Sequence, residues 1–329
     1  MAATSFKDDP AHYLACAAEL VQHADWQYPL VVNSCGWVSG LGASVLQDLT
    51  QSLNITQVVL LEPIDAAFTE SLQTSSSDTT FHRLTRQPVR PAVRTPAESR
   101  SMQTTAYFHH RAEKATLEFR WSSKPISSRR PWLVGYDGPH AGVQAIISYG
   151  TTPHPDFLAE VLDGSIVAIV RVDAQHQHEA YRISRYSQTS VLPADDSSEA
   201  TTALIKRTKD GLPYIPSTSS GVSAPLDPRF SSCVGLALVR AIDTRRKTLQ
   251  LVTPLCESQI ASLMDQPIAL VRGSFDAPEW AYLEGLHLNG REYEDGMGID
   301  RPWVSRTEAV GIEGAVWRLR HPPLAGDTR

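Results

Sequence analysis

Four cysteines, four methionines and no Gly-Lys dipeptide set the first limits on this 329-residue chain. The cysteines, Cys16, Cys35, Cys233 and Cys256, are far apart and form no Cys-x-x-Cys pair. That excludes a disulfide framework or a spaced zinc site and fits a reducing compartment. Without Gly-Lys there is no GxxxxGK[ST] loop, the glycine-and-lysine cradle for nucleotide phosphates. No GxSxG elbow occurs, which removes the usual serine-hydrolase signature. Residues 1–25 lack a positive segment followed by an apolar one, so no signal peptide is evident. Apolar runs such as Ile166–Val170 are far too short to span a bilayer, and a soluble, intracellular chain with no membrane partner is the expectation.

What is present is a 42% apolar composition and a net charge of −6. The charge is uneven. Residues 81–130 hold eleven Lys or Arg against three Glu. Such a segment either faces phosphates or is a solvated, Arg-rich loop.

The helical spacing of 11–24, opened by Asp9-Pro10, predicts a helix. Leu30–Asn33 reads as a short buried strand, Leu41–Leu53 as an amphipathic helix and Gln57–Leu61 as another buried strand, together a βαβ unit. Residues 97–108 look helical. Beyond about residue 130, β-like runs dominate: Gly142–Tyr149, Ser165–Val172, Val234–Ile242, Thr248–Thr253, Ile268–Gly273 and Ala315–His321. Residues 191–232 are rich in Ser, Thr, Pro and Asp, and a mobile insertion is expected over about 174–230. The fold class is therefore α/β: an incomplete parallel sheet with helices over 1–125, then a β-rich domain over 126–329.

The first candidate site is the glycine turn in VVNSCGWVSGLGASVLQDL, residues 31–49. Gly36-x3-Gly40-x-Gly42 matches the spacing with which short-chain dehydrogenases hold NAD(P), and Glu62, twenty residues beyond Gly42, could meet a ribose. That chemistry also needs a Tyr with Lys four residues on, and none of the ten tyrosines has one; Tyr107 comes nearest, with Arg111. The glycines could equally serve close packing where a strand turns into a helix. Trp37 at this turn could stack on a base or pack beneath the turn. Val58–Glu62 has the form of a Walker B strand, a weak signal alone. His176-Gln177-His178-Glu179 reads as surface polarity in preference to a metal site, and His109-His110 as solvated or satisfied in a core.

Whole stretches say more. YPLVVNSCGWVSGLGASVLQDL resembles the PLVxNTxGWxxGxG block of eukaryotic polynucleotide 5′-hydroxyl kinases, nearest to the nucleolar branch of pre-ribosomal RNA processing. The pre-mRNA cleavage-complex kinase is more distant. TPAESRSMQTTAYFHH, RRPWLVGYDGPHAGVQAIIS, LDGSIVAIV, CVGLALVRAIDTRRKTLQLVTPL, ALVRGSFDAPEWAY and GAVWRLRH resemble the same branch in the same order. The resemblance implies a P-loop-type sheet and transfer of the ATP γ-phosphate, with Mg²⁺, to a 5′-hydroxyl end of RNA. Ser34, Gly36, Trp37 and Gly40 fall on the clasp that grips that end, with Ser34 standing where the family has Thr. Arg100 falls on the lid; a second lid arginine of the cleavage-complex relatives is Gln103 here. An endoribonuclease partner, contact with it through Trp317 and a nucleolar, hence nuclear, location are further implications. The family's P-loop and magnesium-binding acids lie upstream of the clasp, so the chain resembles the C-terminal half. The expectation is a kinase homologue inactive as an isolated chain, with an RNA- or partner-binding module as the alternative.

Overall fold

Asp9 starts the chain's first helix as the sequence requires: its carboxylate accepts from the His12 N–H at 2.9 Å, and Pro10 occupies the first helical position. The computed structural model describes residues 5–62, 64–75, 78–85, 95–112, 119–138, 141–150, 152–181, 204–217, 225–264, 266–275 and 278–289. Helix α1 spans Pro10–Gln22 and α2 spans Gly40–Ser52. Val45, Leu49 and Leu53 recur at helical spacing and bury against Phe6, with Tyr13, Leu14, Ala17 and Val21 of α1 closing the cluster.

Strand β1 (Gln57–Leu61), helix α3 (Ala66–Ser75) and strand β2 (Thr80–Leu84) make a βαβ unit with parallel pairing, Val58 opposite Phe81 and Leu61 opposite Leu84. This is the expected motif made from different pieces. Leu30–Asn33, expected as a buried strand, is unpaired and exposed, with Val31 at 85%. Four apolar residues satisfy a strand pattern, but no strand lies beside them among the described residues. The burial of β1 is also one-sided: Leu60 is buried, whereas Val59 and Leu61 share an exposed face with Leu84 of β2.

A capping box starts α4 (Pro96–His109): the Thr95 hydroxyl accepts from the Glu98 N–H, and the Glu98 carboxylate accepts from the Thr95 N–H at 2.7 Å. A short antiparallel hairpin follows, β3 (His110–Ala112) with β4 (Phe119–Trp121). Then come β5 (Trp132–Gly135), β6 (Ala145–Ser148), α5 (Leu158–Leu162), β7 (Ile166–Val172), α6 (Gln177–Tyr181), β8 (Lys206–Arg207) and β9 (Pro213–Tyr214). The last described elements are β10 (Ser231–Asp243), β11 (Thr248–Val252), α7 (Glu257–Ala261), β12 (Ile268–Arg272) and α8 (Glu279–Asn289). One eight-stranded sheet orders them β5-β11-β10-β7-β12-β6-β9-β8. Its central strands are apolar at almost every position because both faces are covered. Ile146, Val167 and Ile169 point into one core with Val239 and Leu249, while Ile147, Ala168 and Val170 point into the other with Tyr181 and Ala269.

The strands read over 142–149, 165–172, 234–242, 248–253 and 268–273 are β6, β7, β10, β11 and β12. The stretch over 174–230 departs from its expected mobility in part. Its residues 204–217 and 225–230 are built into the sheet: Leu212 is fully buried beside Tyr136 and Ile146, and Ile215 and Leu226 enter the opposite core. A few apolar residues in Gly211–Ile215, GLPYI, carry that packing within a polar background. Residues 182–203 and 218–224 lie outside the described residues, as do Ala315–His321 and Trp317.

The N-terminal helix also meets the large sheet. The His12 ring lies 5.9 Å from that of Tyr149, and the Cys16 thiol is 3.4 Å from His12 Nε2. Burial pushes the His12 pKa down from 6.5 to about 4.

Two expected outcomes follow from these contacts. Leu212→Ala will cost about 2–5 kcal/mol in denaturant unfolding, whereas a residue in a mobile insertion would cost less than about 0.5 kcal/mol. Unfolded His12 takes up a proton more readily than folded His12. Its contribution is therefore complete above pH 6.5 and is lost as pH falls toward 4. The loss amounts to at most about 3 kcal/mol. His12→Gln will flatten unfolding free energy across that window.

Candidate nucleic-acid interface

Ser34, Gly36 and Trp37 lie on the exposed segment that leads into α2, and Gly40 opens the helix. Gly40 has φ +52°, a left-handed conformation that glycine adopts without strain. Gly42, one turn in, is needed for a different reason. A Cβ there would fall on the carbonyl oxygen and indole Cγ of Trp37 and 2.8 Å from its Cβ. The glycine therefore makes the space into which Trp37 folds back over the helix start.

The indole is stacked on Phe6 at 5.7 Å and 27°, and Phe6 on Tyr13 of α1 at 5.1 Å and 27°. Trp37 nonetheless remains 39% exposed. The ring therefore packs on one side and is offered to solvent on another. Gly36 has open space where a side chain would be. Glu62, considered for a ribose, stands at the end of β1 with the Arg83 guanidinium 3.9 Å away, both exposed.

Arg100 sits on the exposed face of α4, three residues before Gln103 and six before Ala106 on the same side. The opposite side is anchored. Tyr107 Oη accepts from the Leu236 N–H at 2.7 Å, and Phe108 is fully buried among Ile126, Ile166, Leu238, Val252 and Trp280. Arg129 Nη1 donates to the Phe108 carbonyl at 2.6 Å. The buried His109 has Nδ1 on the Ser122 carbonyl and Nε2 facing the Glu284 carboxylate of α8. Glu284 also accepts from the Ile126 N–H at 2.8 Å.

His109 is thus the satisfied core histidine of the sequence reading, but its partner Glu284 was not foreseen, because 158 residues separate Glu284 from Ile126 and no local pattern joins them. His176 rests on Asp173, Nδ1 to Oδ2 3.0 Å, and stacks on Phe230 at 4.8 Å. No group of three or more His, Cys, Asp or Glu side chains positioned for a metal ion occurs among the described residues.

With this geometry in place, residues 1–110 match the family described as the mRNA cleavage and polyadenylation factor CLP1 P-loop. Similar proteins carry one name throughout. The polynucleotide 5′-hydroxyl-kinase grc3 of Aspergillus niger is 34% identical over 314 residues, covering 87% of this chain and 38% of that protein. That of Aspergillus oryzae is 35% identical over 319 residues, with the same coverage. That of Gibberella zeae is 32% identical over 367 residues, covering 98% of this chain and 48% of that protein. Over most of its length the chain is similar to polynucleotide 5′-hydroxyl kinases, and its first 110 residues match the P-loop family. It spans between about two fifths and one half of the length of these relatives.

The match over residues 1–110 includes the glycine turn, the βαβ unit and α4, so the exposed indole and Arg100 both belong to the P-loop portion of the family. The dehydrogenase reading of the glycine spacing has no further support. The groups for a nucleotide are a separate matter. The chain has no Gly-Lys, and no group of three or more possible metal ligands occurs among its described residues.

The packing of Trp37 gives a direct test. In an ordinary helix Gly→Ala is stabilising. Here Gly42→Ala will instead destabilise by about 1–3 kcal/mol, because the added methyl collides with Trp37. Trp fluorescence and near-ultraviolet circular dichroism will show the indole displaced.

Proposed function

We propose that this chain is the acceptor side of a polynucleotide 5′-hydroxyl kinase: it holds the RNA 5′-hydroxyl end to which the ATP γ-phosphate is transferred. The observation that carries the reading is Trp37, held on Phe6 and left 39% exposed at a glycine turn. Base–aromatic stacking is worth about 1–3 kcal/mol per base and tolerates any sequence, as a kinase of RNA ends requires. Ser34, Gly36 and Gly40 line the same segment; open space at Gly36 lets backbone amides approach the terminal nucleotide.

Arg100, on the exposed face of α4, supplies fixed positive charge for the transferring phosphoryl group, the role an arginine serves in phosphoryl transfer. α4 is the lid in this reading. ATP and Mg²⁺ are the co-reactants that this reading implies. No step through them is derived. By the resemblance, the reading extends to ribosomal RNA processing in the nucleolus beside an endoribonuclease, with Trp317 as its contact.

A second reading rests on the exposed indole alone: an RNA- or partner-binding module that does no phosphoryl transfer itself. One experiment addresses both. The chain is mixed with single-stranded RNA bearing a 5′-hydroxyl and with γ-labelled ATP. Binding that prefers a 5′-hydroxyl over a 5′-phosphate end, and that weakens about tenfold in Trp37→Ala, supports the acceptor site. RNA binding blind to the end overturns it. Label transfer by the chain alone overturns the module and requires an unrecognised ATP site; no transfer is the expected result.

A further inference from the structure

The β3–β4 hairpin carries an aromatic side chain that the acceptor site does not use. Trp121, the last residue of β4, lies parallel to the His109 imidazole, with centroids 4.9 Å apart and planes 11° apart. His109 is fixed from both sides by the Ser122 carbonyl and Glu284, so the backing ring is rigid. Trp121 is nevertheless 62% exposed. An indole stacked on one ring and open to water forgoes the burial that normally stabilises so large a side chain.

Its surroundings are cationic. Lys124 follows Trp121 by three residues and is exposed, as is Arg130. Arg129 is held on the Phe108 carbonyl at the end of α4, one residue before the His109 on which the indole stacks. Arg240 of β10 meets the Arg129 backbone. The register of β10 against β11 shifts between Val239 and Ala241, and the intervening Arg240 donates to the Arg129 carbonyl at 3.0 Å. Irregularities of this kind re-aim a side chain out of the ladder. Residues 111–130 hold six Lys or Arg against two Glu in sequence. Glu284, the acid in contact with His109, is turned inward.

We propose that Trp121, with Lys124, Arg130 and Arg240, forms a second single-stranded RNA platform, on which an internal base stacks while the cations meet the flanking phosphates. An exposed indole with cations on the adjoining segments is the pairing of stacking surface and electrostatic track that single strands use. The choice of RNA as the strand rests on the acceptor reading; the stacking site itself does not depend on how the 5′ end is held.

The test is fluorescence anisotropy of the full chain with a 5′-phosphorylated single-stranded RNA of about 12 nucleotides, long enough for one such platform. Trp121→Ala is expected to weaken binding about tenfold, and Trp121→Phe to restore most of it. Lys124→Glu with Arg130→Glu will also weaken binding and will lower the slope of affinity against salt. Because Trp121 is exposed, all these variants should melt close to the parent chain. Unchanged affinity in both Trp121→Ala and the charge variant overturns the inference and makes the hairpin a protein-contact face. Binding that depends on Trp121 but ignores the 5′ group, with no effect of Trp37→Ala, upholds the platform while removing the acceptor reading.

Discussion

The last turn of α4 sets both the presentation of Arg100 and the backing of Trp121, and it is held by three different kinds of contact at adjacent positions. Tyr107 takes a backbone N–H from β10, Phe108 fills an apolar core, and His109 spans the Ser122 carbonyl and the Glu284 carboxylate. Leaving a buried polar group without its partner costs about 1–3 kcal/mol. Glu284 also satisfies the Ile126 N–H, so its loss would orphan two groups at once. This anchor fixes the C-terminal end of α4 on the large sheet, and the capping box orders its start. Arg100 is thereby presented from a helix defined at both ends.

The two sheets meet opposite solvent constraints. The eight-stranded sheet hides both faces, which is why β6 and β7 can be apolar without alternation. The β1–β2 pair buries Leu60 yet exposes Val59, Leu61 and Leu84, and the apolar segment Leu30–Val32 is exposed as well. Parallel sheets are ordinarily covered on both faces. The exposed apolar face is therefore the least self-sufficient part of the chain, and it falls within the span that matches the P-loop family.

How much of this was legible followed from how local the cause was. Asp9-Pro10 and the apolar spacing of Val45, Leu49 and Leu53 are near-neighbour signals, and they place α1 and α2 within a residue or two. The central strands announced themselves by unbroken apolar runs. Leu30–Asn33 had the same run without a neighbour to pair with, and pairing is not written in four residues. α3 and β2 were missed because AAFTESLQTS and TFHRL mix polar and apolar residues with little periodicity. Gly211–Ile215 shows the reverse error: a polar neighbourhood concealed Leu212, whose burial is decided by Tyr136 and Ile146, far away in sequence. Of the site, the exposed glycine turn and Trp37 could be read directly. The Phe6–Trp37 stack, the Gly42 collision and the His109–Glu284 link needed the fold.

Trp37 and Trp121 illustrate one physical solution reached by different means. A base gains from stacking only what remains after the ring's own freedom is lost, so an immobilised ring binds better than a loose one. Trp37 is immobilised by covalent economy: Gly42 removes a methyl, and the indole settles between the helix start and Phe6. Trp121 is immobilised by electrostatics one step removed, through an imidazole that Glu284 and a carbonyl hold in place. The first depends on packing within the N-terminal helices. The second depends on α8, through Glu284, and so ties any ligand of the hairpin to the C-terminal part of the chain.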